Sequence, residues 1–271
     1  METRVFKNCL FKLFAAYIFF IVFGCDEYSI GPNDNFNNAS FIAKESFSFS
    51  AVALNNFKFR LEAINGNVTI TGNSTSDSII IKGEKIVASE SISDAQTHLT
   101  QLNVDTQNIT NGILIKTKQP NESNGRSYTI NYIISIPNNY EISVELANGN
   151  VLISSINNAV SVNNINGEVS LDDIFGSTFI NLVNGQIKSK QSLPQNGIIN
   201  FASVNGSIKL DIPSNTSAEF SAGTINGNIS VSNLIIKNQV VTATSIKGIL
   251  NAGEGKINLS LVNGSISAAG L

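Results

Sequence analysis

Residues 136–271 repeat one short pattern of apolar and polar positions. An apolar residue precedes Asn-Gly, any residue follows, and Val or Ile comes next, as in Ile165-Asn-Gly-Glu-Val169. From Asn148 onward these Asn residues are spaced by 18, 18, 21, 21 and 37 residues. Apolar positions such as Val151 and Val169 superpose when the chain is shifted by one spacing. Alternation of apolar and polar residues indicates half-buried strands, and the regular spacing of the Asn-Gly motif indicates repeated structural units.

The pattern occurs seven times in the chain, and each Asn-Gly is predicted to form a corner between strands. The corner pairs are Asn65-Gly66, Asn148-Gly149, Asn166-Gly167, Asn184-Gly185, Asn205-Gly206, Asn226-Gly227 and Asn263-Gly264. Asn tolerates the left-handed backbone conformation and Gly adopts it freely, which suits a sharp corner.

Asn-Gly is also the strongest local signal for a β-hairpin, so a meander of hairpins is the competing prediction. A meander would show turns about every 8–12 residues, whereas the spacings of 18 and 21 residues fit one such corner per coil. An extended strand rises about 3.3 Å per residue, so each coil should hold three short strands and three corners. The sequence therefore favours an all-β fold built as a β-helix, or β-solenoid.

The last spacing contains a degenerate copy, Ile246-Lys-Gly-Ile249, which is predicted to form one more coil. The C-terminal segment Ser265–Leu271 supplies no obvious cap. Because an exposed coil end presents unpaired strand edges, we expect this end to stack against a partner or another copy of the chain.

Residues 41–135 are less regular and are predicted to form the irregular β-rich start and cap of the same stack. Phe47, Phe49, Phe57 and Phe59 alternate with polar residues, as in half-buried strands. Ser91–Leu102 is the best helix candidate, with Ser93 as its N-cap.

Residues 1–24 are predicted to be a signal peptide, because a basic segment precedes a short apolar run that ends next to Cys25. The arrangement resembles a bacterial lipoprotein signal, which implies lipidation of Cys25. The alternative is an ordinary secretory signal with Cys25 as a buried thiol. Residues 25–40 are polar and are predicted to form a flexible tether.

The repeats resemble the bacterial putative-adhesin domain of unknown function with β-strand repeats, and are similar to the autotransporter-adhesin-head-like GIN domain. The resemblance covers roughly residues 41–271 and rests on the seven Asn-Gly motifs in one frame. It implies a right-handed single-stranded β-helix and a role in adhesion or surface contact. It implies no catalytic residues.

Composition excludes several classes of protein. The hydrophobic fraction of 42% is too high for a disordered chain, and a net charge of −3 offers no basic surface for nucleic acid. Two cysteines cannot build a disulfide scaffold, and Cys9 lies inside the signal peptide. We therefore expect no nucleic-acid partner, no metal and no cofactor.

Catalytic chemistry has two candidates, and both are better explained as surface residues. Asp172-Asp173 could work with Lys188 and Lys190 on an acidic sugar, but adjacent strand residues point to opposite faces. His98 is the sole histidine, and we expect it to be a solvated surface residue. The stacked asparagines have two interpretations, a ladder that satisfies backbone groups or a regular surface that binds a glycan.

The leading prediction is a non-enzymatic, lipid-anchored protein of the cell envelope that acts as an adhesin or binding module. Its partners would be the membrane, through the lipid, and a glycan or protein ligand, with end-to-end self-association. The outer membrane or cell surface is favoured over the inner membrane. The alternatives are a periplasmic envelope-stress or structural component and, ranked last, a β-helical polysaccharide-cleaving enzyme.

Overall fold

The computed structural model describes residues 41–52, 58–74 and 78–271. In these ranges the protein is all-β, as predicted, with sixteen strands in one open sheet and one short helix, α1 (Ile92–Leu99). The strands are β1 (Phe41–Val52), β2 (Lys58–Asn65), β3 (Val68–Asn73), β4 (Ser78–Ser89), β5 (Asn103–Ile109), β6 (Gly112–Lys118), β7 (Ser127–Pro137), β8 (Glu141–Asn148), β9 (Val151–Ile156), β10 (Val160–Phe175), β11 (Thr178–Ser192), β12 (Ile198–Ile212), β13 (Ala218–Ser232), β14 (Ile236–Thr242), β15 (Ser245–Leu250) and β16 (Gly255–Gly270).

The predicted signal peptide, Cys25, the tether and Phe57 lie outside the described residues.

The repeats form a stack of parallel strands in the order β3-β9-β10-β11-β12-β16-β13, and β2 and β8 pair in parallel beside it. β10 pairs with β11 at a shift of 18 residues, so that Val169 lies opposite Ile187. β11 pairs with β12 at a shift of 21 residues, so that Ile187 lies opposite Ile208. The register predicted from the spacings is therefore confirmed.

Each repeat from β10 onward is one long strand that continues through its Asn-Gly corner. β10 to β13 and β16 are 15 or 16 residues long, where the sequence predicted three short strands per coil. The prediction was wrong because the strand only bends at the corner. Its hydrogen bonds to the neighbouring parallel strand continue on both sides of the bend. A second bend follows at Asp173, where the register of β10 against β11 shifts.

Alternate residues of each long strand fill the interior. In β12 the inward residues are Ile199, Phe201, Ile208, Leu210 and Ile212, all buried. The residues directly before the corner Asn are apolar but lie outside: Ile165 and Val183, which are equivalent in the stack, are 41% and 38% exposed. They continue the alternation of the first half of the strand, in which Val162 and Asn164 point inward. The alternation shifts by one residue at the corner, so that Val169 and Leu171 point inward after it.

The C-terminal strand lies inside the stack. Asn263 of β16 pairs with Asn205 of β12 on one side and with Asn226 of β13 on the other. The prediction of an uncapped C-terminal coil was therefore wrong, and the stack ends at β13.

The degenerate copy at residues 246–249 is not a coil. It lies in β15, which pairs antiparallel with β14 and with Ala218–Gly223 of β13. The copy lacks the corner Asn, and Gly248 packs so closely on β14 that a Cβ there would lie 2.2 Å from the Ile236 side chain. This segment covers the first half of β13 as a hairpin.

The opposite end of the stack is covered by an antiparallel layer. β1 pairs with β4 and β4 with β7, and β7 joins the stack by pairing in parallel with β3. The helix α1 packs on β1 and β4. Its N-cap is Ser91, two residues before the predicted Ser93, and Ser91 Oγ accepts a hydrogen bond from the Asp94 backbone N–H at 3.2 Å.

Asp94 ties α1 to the antiparallel layer. Arg126 donates to its carboxylate from Nε at 2.6 Å and from a terminal nitrogen at 2.8 Å, and Ser89 Oγ also donates to it. The Arg126 hydrogen bonds, then that from Ser89, hold the pKa of Asp94 well below its ordinary value.

This shift predicts an acid-sensitive contribution to stability. Because the pKa of Asp94 is lower in the folded than in the unfolded state, its contribution is present above the unfolded pKa and is lost as the pH falls through the folded value. Urea unfolding measured from about pH 6 to about pH 2 should show a steeper loss of stability in the wild type than in Asp94→Asn. Equal slopes for the two proteins would contradict this assignment.

Candidate functional site

The seven corner asparagines form one continuous ladder of side-chain amides, which we call the asparagine ladder. Each Nδ2 donates to the Oδ1 of the neighbour nearer β2, at 2.7–2.9 Å, in the links Asn148 to Asn65, Asn166 to Asn148, Asn184 to Asn166, Asn205 to Asn184, Asn263 to Asn205 and Asn226 to Asn263. At the first coil Asn65 donates to the Tyr128 carbonyl oxygen at 3.1 Å. The ladder therefore links all seven repeats.

The glycines beside the ladder make the corner. Gly185 has a φ of +142°, a region that essentially only glycine occupies, and a Cβ there would lie 1.8 Å from the Gly167 carbonyl oxygen. The corner asparagines are absent from the residues with positive φ, so the left-handed conformation considered for Asn does not occur there. Asn is useful at these corners for its side-chain amide, and Gly for its backbone.

Three further Asn-Gly pairs, outside the repeat frame, form turns instead. Asn111, Asn124 and Asn196 are left-handed, with φ of 59°, 47° and 59°. Asn111 sits in the tight turn between the antiparallel strands β5 and β6. In the sequence these three are preceded by a polar residue and the seven corners by an apolar one, which separates the turns from the corners in this chain.

The asparagine ladder uses one donor and one acceptor of each inner amide. Between neighbouring coils each Oδ1 accepts from one amide and each Nδ2 donates to another. Because these bonds link every repeat to the next, they favour the structural interpretation of the ladder.

Replacing Asn166 and Asn184 by Ala should therefore lower stability without affecting binding by the folded protein. The double variant removes three hydrogen bonds of the ladder. The expected loss is about 1.5–3 kcal/mol, because exposed amide hydrogen bonds contribute about 0.5–1 kcal/mol each. Urea unfolding followed by circular dichroism measures it, and Asn200→Ala, on an outward position of β12 away from the ladder, is the control. Loss of binding by a double variant of unchanged stability would favour the glycan-binding interpretation instead.

A polar cleft of about 420 Å³ opens at the second bend of the coils, where β3 and β7 end. Its hydroxyl groups come from Thr71, Ser74, Ser135 and Ser155, its amides from Asn73, Asn138 and Asn157, and its carboxylate from Asp173, with Gly72 between them. We call this site the polar cleft.

The walls of the polar cleft are set by the backbone. Ser155 and Asp173 occupy equivalent places in successive coils, and both are left-handed, with φ of 57° and 53°. Gly72 of the preceding coil lies so close that a Cβ would be 1.9 Å from the Ser155 carbonyl oxygen. On the other wall the Asn157 N–H donates to the Asn138 carbonyl oxygen at 2.6 Å. These contacts fix the backbone that carries the lining groups.

The structure separates the two predicted acidic candidates. Asp172 lies on the outer face of β10 opposite Lys190, whereas Asp173 lines the polar cleft, where Ser155 Oγ donates to its Oδ2 at 3.3 Å. Lys188 binds Glu168 at 2.9 Å. The four residues therefore do not converge on one point.

His98 is not the freely solvated residue that was expected. Its side chain is mostly covered, and Nδ1 lies 3.3 Å from an Asp94 carboxylate oxygen. Ser89 also binds Asp94, so the aspartate sits between the serine and the histidine. A serine nucleophile needs the histidine in that central position, so this cluster lacks the geometry of a catalytic triad.

Sequence reasoning missed most of the polar cleft. Its residues come from four separate segments, and Thr71 and Ser135 are ordinary strand residues in the sequence. The usable signal was weak: Asp173 is an extra residue after Asp172 that breaks the alternation of β10 and marks the second bend.

Two kinds of site are absent from the part of the chain that the structure describes. No group of three or more His, Cys, Asp and Glu side chains there is arranged to hold a metal ion. Those residues also include no helix with the length and hydropathy of a membrane span.

Comparison with known proteins gives distant structural likenesses. A putative cell adhesion protein from Clostridium sporogenes is 14% identical with a TM-score of 0.48, and the match covers 84% of this chain and 100% of the other. A putative adhesin from Bacteroides fragilis is 11% identical with a TM-score of 0.33, covering 84% and 98%. A putative lipid binding protein from Parabacteroides distasonis is 9% identical with a TM-score of 0.28, covering 86% and 96%.

No family model matches the chain, and no curated protein matches it. At these values the structural likenesses assign neither a ligand nor a partner to this chain.

Proposed function

We propose that this protein is an exported, lipid-anchored, non-enzymatic binding module of the bacterial envelope, of the adhesin type. Its repeats would form a right-handed single-stranded β-helix, with residues 41–135 as the irregular start and cap and residues 136–271 as the coils. In-register parallel pairing at shifts of 18 and 21 residues supports the β-helix. The resemblance to the putative-adhesin domain implies that this β-helix is right-handed.

The polar cleft is the observation that carries the binding role. It brings hydroxyl, amide and carboxylate groups from four segments of the chain together, and these groups can donate and accept hydrogen bonds with a polar ligand. The asparagine ladder has a structural role instead, because its amides link the repeats to one another. The polar cleft is therefore the better candidate for ligand contacts.

Lipid anchoring at Cys25 is tested by labelling with a fatty acid in a bacterial host. We expect label in the wild type and none in Cys25→Ala. Cys9→Ala is the matched control, since Cys9 lies within the predicted signal peptide and its replacement should leave the label unchanged. Wild-type protein that is processed but unlabelled would exclude the anchor.

Protease treatment of intact cells tests the location. The outer-membrane or surface proposal expects the domain to be removed from intact cells. A lipidated domain that is degraded only after the outer membrane is opened would instead assign it to the periplasm, as an envelope-stress or structural component.

Catalysis on a polysaccharide is tested with the double variant Asp172→Asn plus Asp173→Asn. Because Asp172 lies outside the polar cleft, we expect no turnover in the wild type. Cleavage of an acidic polysaccharide by the wild type, abolished in the double variant, would replace the binding proposal by an enzymatic one.

End-to-end self-association is proposed at β13, the edge at which the stack ends. Beyond Gly223 this strand pairs with β16 alone among the described elements. Residues Ile225–Ser232 carry no charge and no proline, the features that commonly protect an edge strand. Sedimentation velocity should show association as the concentration rises, and a strict monomer at high concentration would exclude it.

A further inference from the structure

The polar cleft has a ligand chemistry that can be read from its lining. Hydroxyl and carboxamide groups each combine a donor with an acceptor, and together they supply seven of its nine lining residues. A ligand that fills the site must offer donors and acceptors in similar number. An apolar ligand would leave these groups without hydrogen bonds, at a cost of about 1–3 kcal/mol for each buried group.

The charge of the cleft further restricts the class of ligand that it can bind. Asp173 is its one carboxylate, and no lining residue is cationic. Among the described residues, no Lys, Arg or His forms an ion pair with Asp173. Phosphate, sulfate and uronic-acid groups would therefore be repelled, whereas neutral hydroxyl groups can donate to the carboxylate in charge-assisted hydrogen bonds.

The size and rigidity of the cleft suit a small ligand. Its volume of about 420 Å³ lies toward the lower end of the range for small-molecule sites, about 300–1,000 Å³. The left-handed Ser155 and Asp173 and the close approach of Gly72 preorganise the walls, which lowers the ordering cost of binding.

We propose that the polar cleft binds a neutral saccharide of one or two rings, with Asp173 accepting hydrogen bonds from its hydroxyl groups. The inference rests on the proposed binding function and specifies its ligand. A divalent cation is the main competitor, but calcium sites use six to eight oxygen ligands and gain affinity with each carboxylate, of which this cleft has one.

The test is calorimetric titration of the mature protein with maltose, cellobiose, lactose and N,N′-diacetylchitobiose, with digalacturonic acid and calcium chloride as comparison ligands. We expect at least one neutral disaccharide to bind and digalacturonic acid not to bind. Asp173→Asn should weaken that binding at least tenfold, because Asn keeps the left-handed backbone and removes the charge.

Asp172→Asn is the matched control, one residue away on the outer face, and should bind as the wild type does. The proposal is overturned if no neutral saccharide binds, if binding survives in Asp173→Asn, or if calcium binds in the cleft and no saccharide does. Each of these results leaves the labelling and protease outcomes for Cys25 untouched, so failure of the ligand assignment is distinguishable from failure of the envelope function.

Discussion

Gly185→Ala should lower the free energy of unfolding by about 4 kcal/mol, an effect at the upper end for a single substitution. Two costs add. The residue has a φ of +142°, which disfavours any residue with a Cβ, and the new methyl group would lie 1.8 Å from the Gly167 carbonyl oxygen. Relief would require neighbouring coils to separate, which breaks parallel pairing on both sides of β11. Urea unfolding followed by circular dichroism measures the loss.

Two other glycines of the chain separate these costs. Gly125 also has a positive φ, +80°, but a Cβ there meets nothing within 4 Å, so Gly125→Ala should cost only about 1–2 kcal/mol. Gly223 has an ordinary backbone and its nearest contact would be 3.9 Å away, so Gly223→Ala should be close to neutral. If Gly185→Ala cost no more than Gly125→Ala, close packing of the corner column would not be the reason for glycine.

Phe201→Ala should lower the free energy of unfolding by about 3–5 kcal/mol, the range for removal of a buried aromatic side chain. Phe201 is fully buried and lies between Ile180 of β11 and Leu259 of β16. The substitution leaves a cavity that the rigid coils cannot close, because backbone pairing on both sides holds their spacing. Urea unfolding followed by circular dichroism measures this loss as well. An unchanged slope of the unfolding free energy against urea concentration would show that the folded and unfolded states are otherwise preserved.

Phe179→Ala is the matched control for this prediction. Phe179 is one residue from Ile180 but on the outer face of β11, where it is 36% exposed. Its replacement should cost about 1 kcal/mol or less, as for other surface substitutions. Similar losses for Phe179→Ala and Phe201→Ala would mean that inward and outward positions are wrongly assigned by one residue.

The repeat register was readable from the sequence because it rests on local chemistry. A corner needs a glycine at the bend and gains an amide ladder from asparagine, and both demands recur at each coil. The alternation of apolar residues on either side sets which face is buried. The pairing of Val162 with Ile180 and of Leu171 with Ile153 follows from these short patterns.

The polar cleft was not readable in the same way. Its groups come together because coils separated by many residues bend at the same height, and because the chain places the end of β7 beside them. The left-handed conformations of Ser155 and Asp173 have no reliable local signal, since serine adopts this conformation rarely. The sequence could mark Asp173 as a candidate functional residue. Only the second bend of the strand places Asp173 in the polar cleft and Asp172 outside it.

The sequence by itself determined the all-β class, the register of the parallel repeats and the Asn-Gly pairs that align in them, because these depend on residues close together in the chain. Tertiary structure alone decided the order of the last coils. The edge of β12 accepts any strand with an apolar residue, Asn, Gly and a later Ile in the same frame, and β13 and β16 both meet that requirement. Local pattern therefore cannot choose between them.

The choice is made by contacts that the pattern does not contain. The hairpin β14–β15 occupies the first half of the outer edge of β13, where a further coil would otherwise pair. β16 instead pairs on both of its sides, and the Leu271 N–H donates to the Ile212 carbonyl oxygen at 2.8 Å. Both orders of β13 and β16 give the same number of parallel ladders, so the choice rests on the hairpin and on the Leu271 contact, which exist only in the assembled stack.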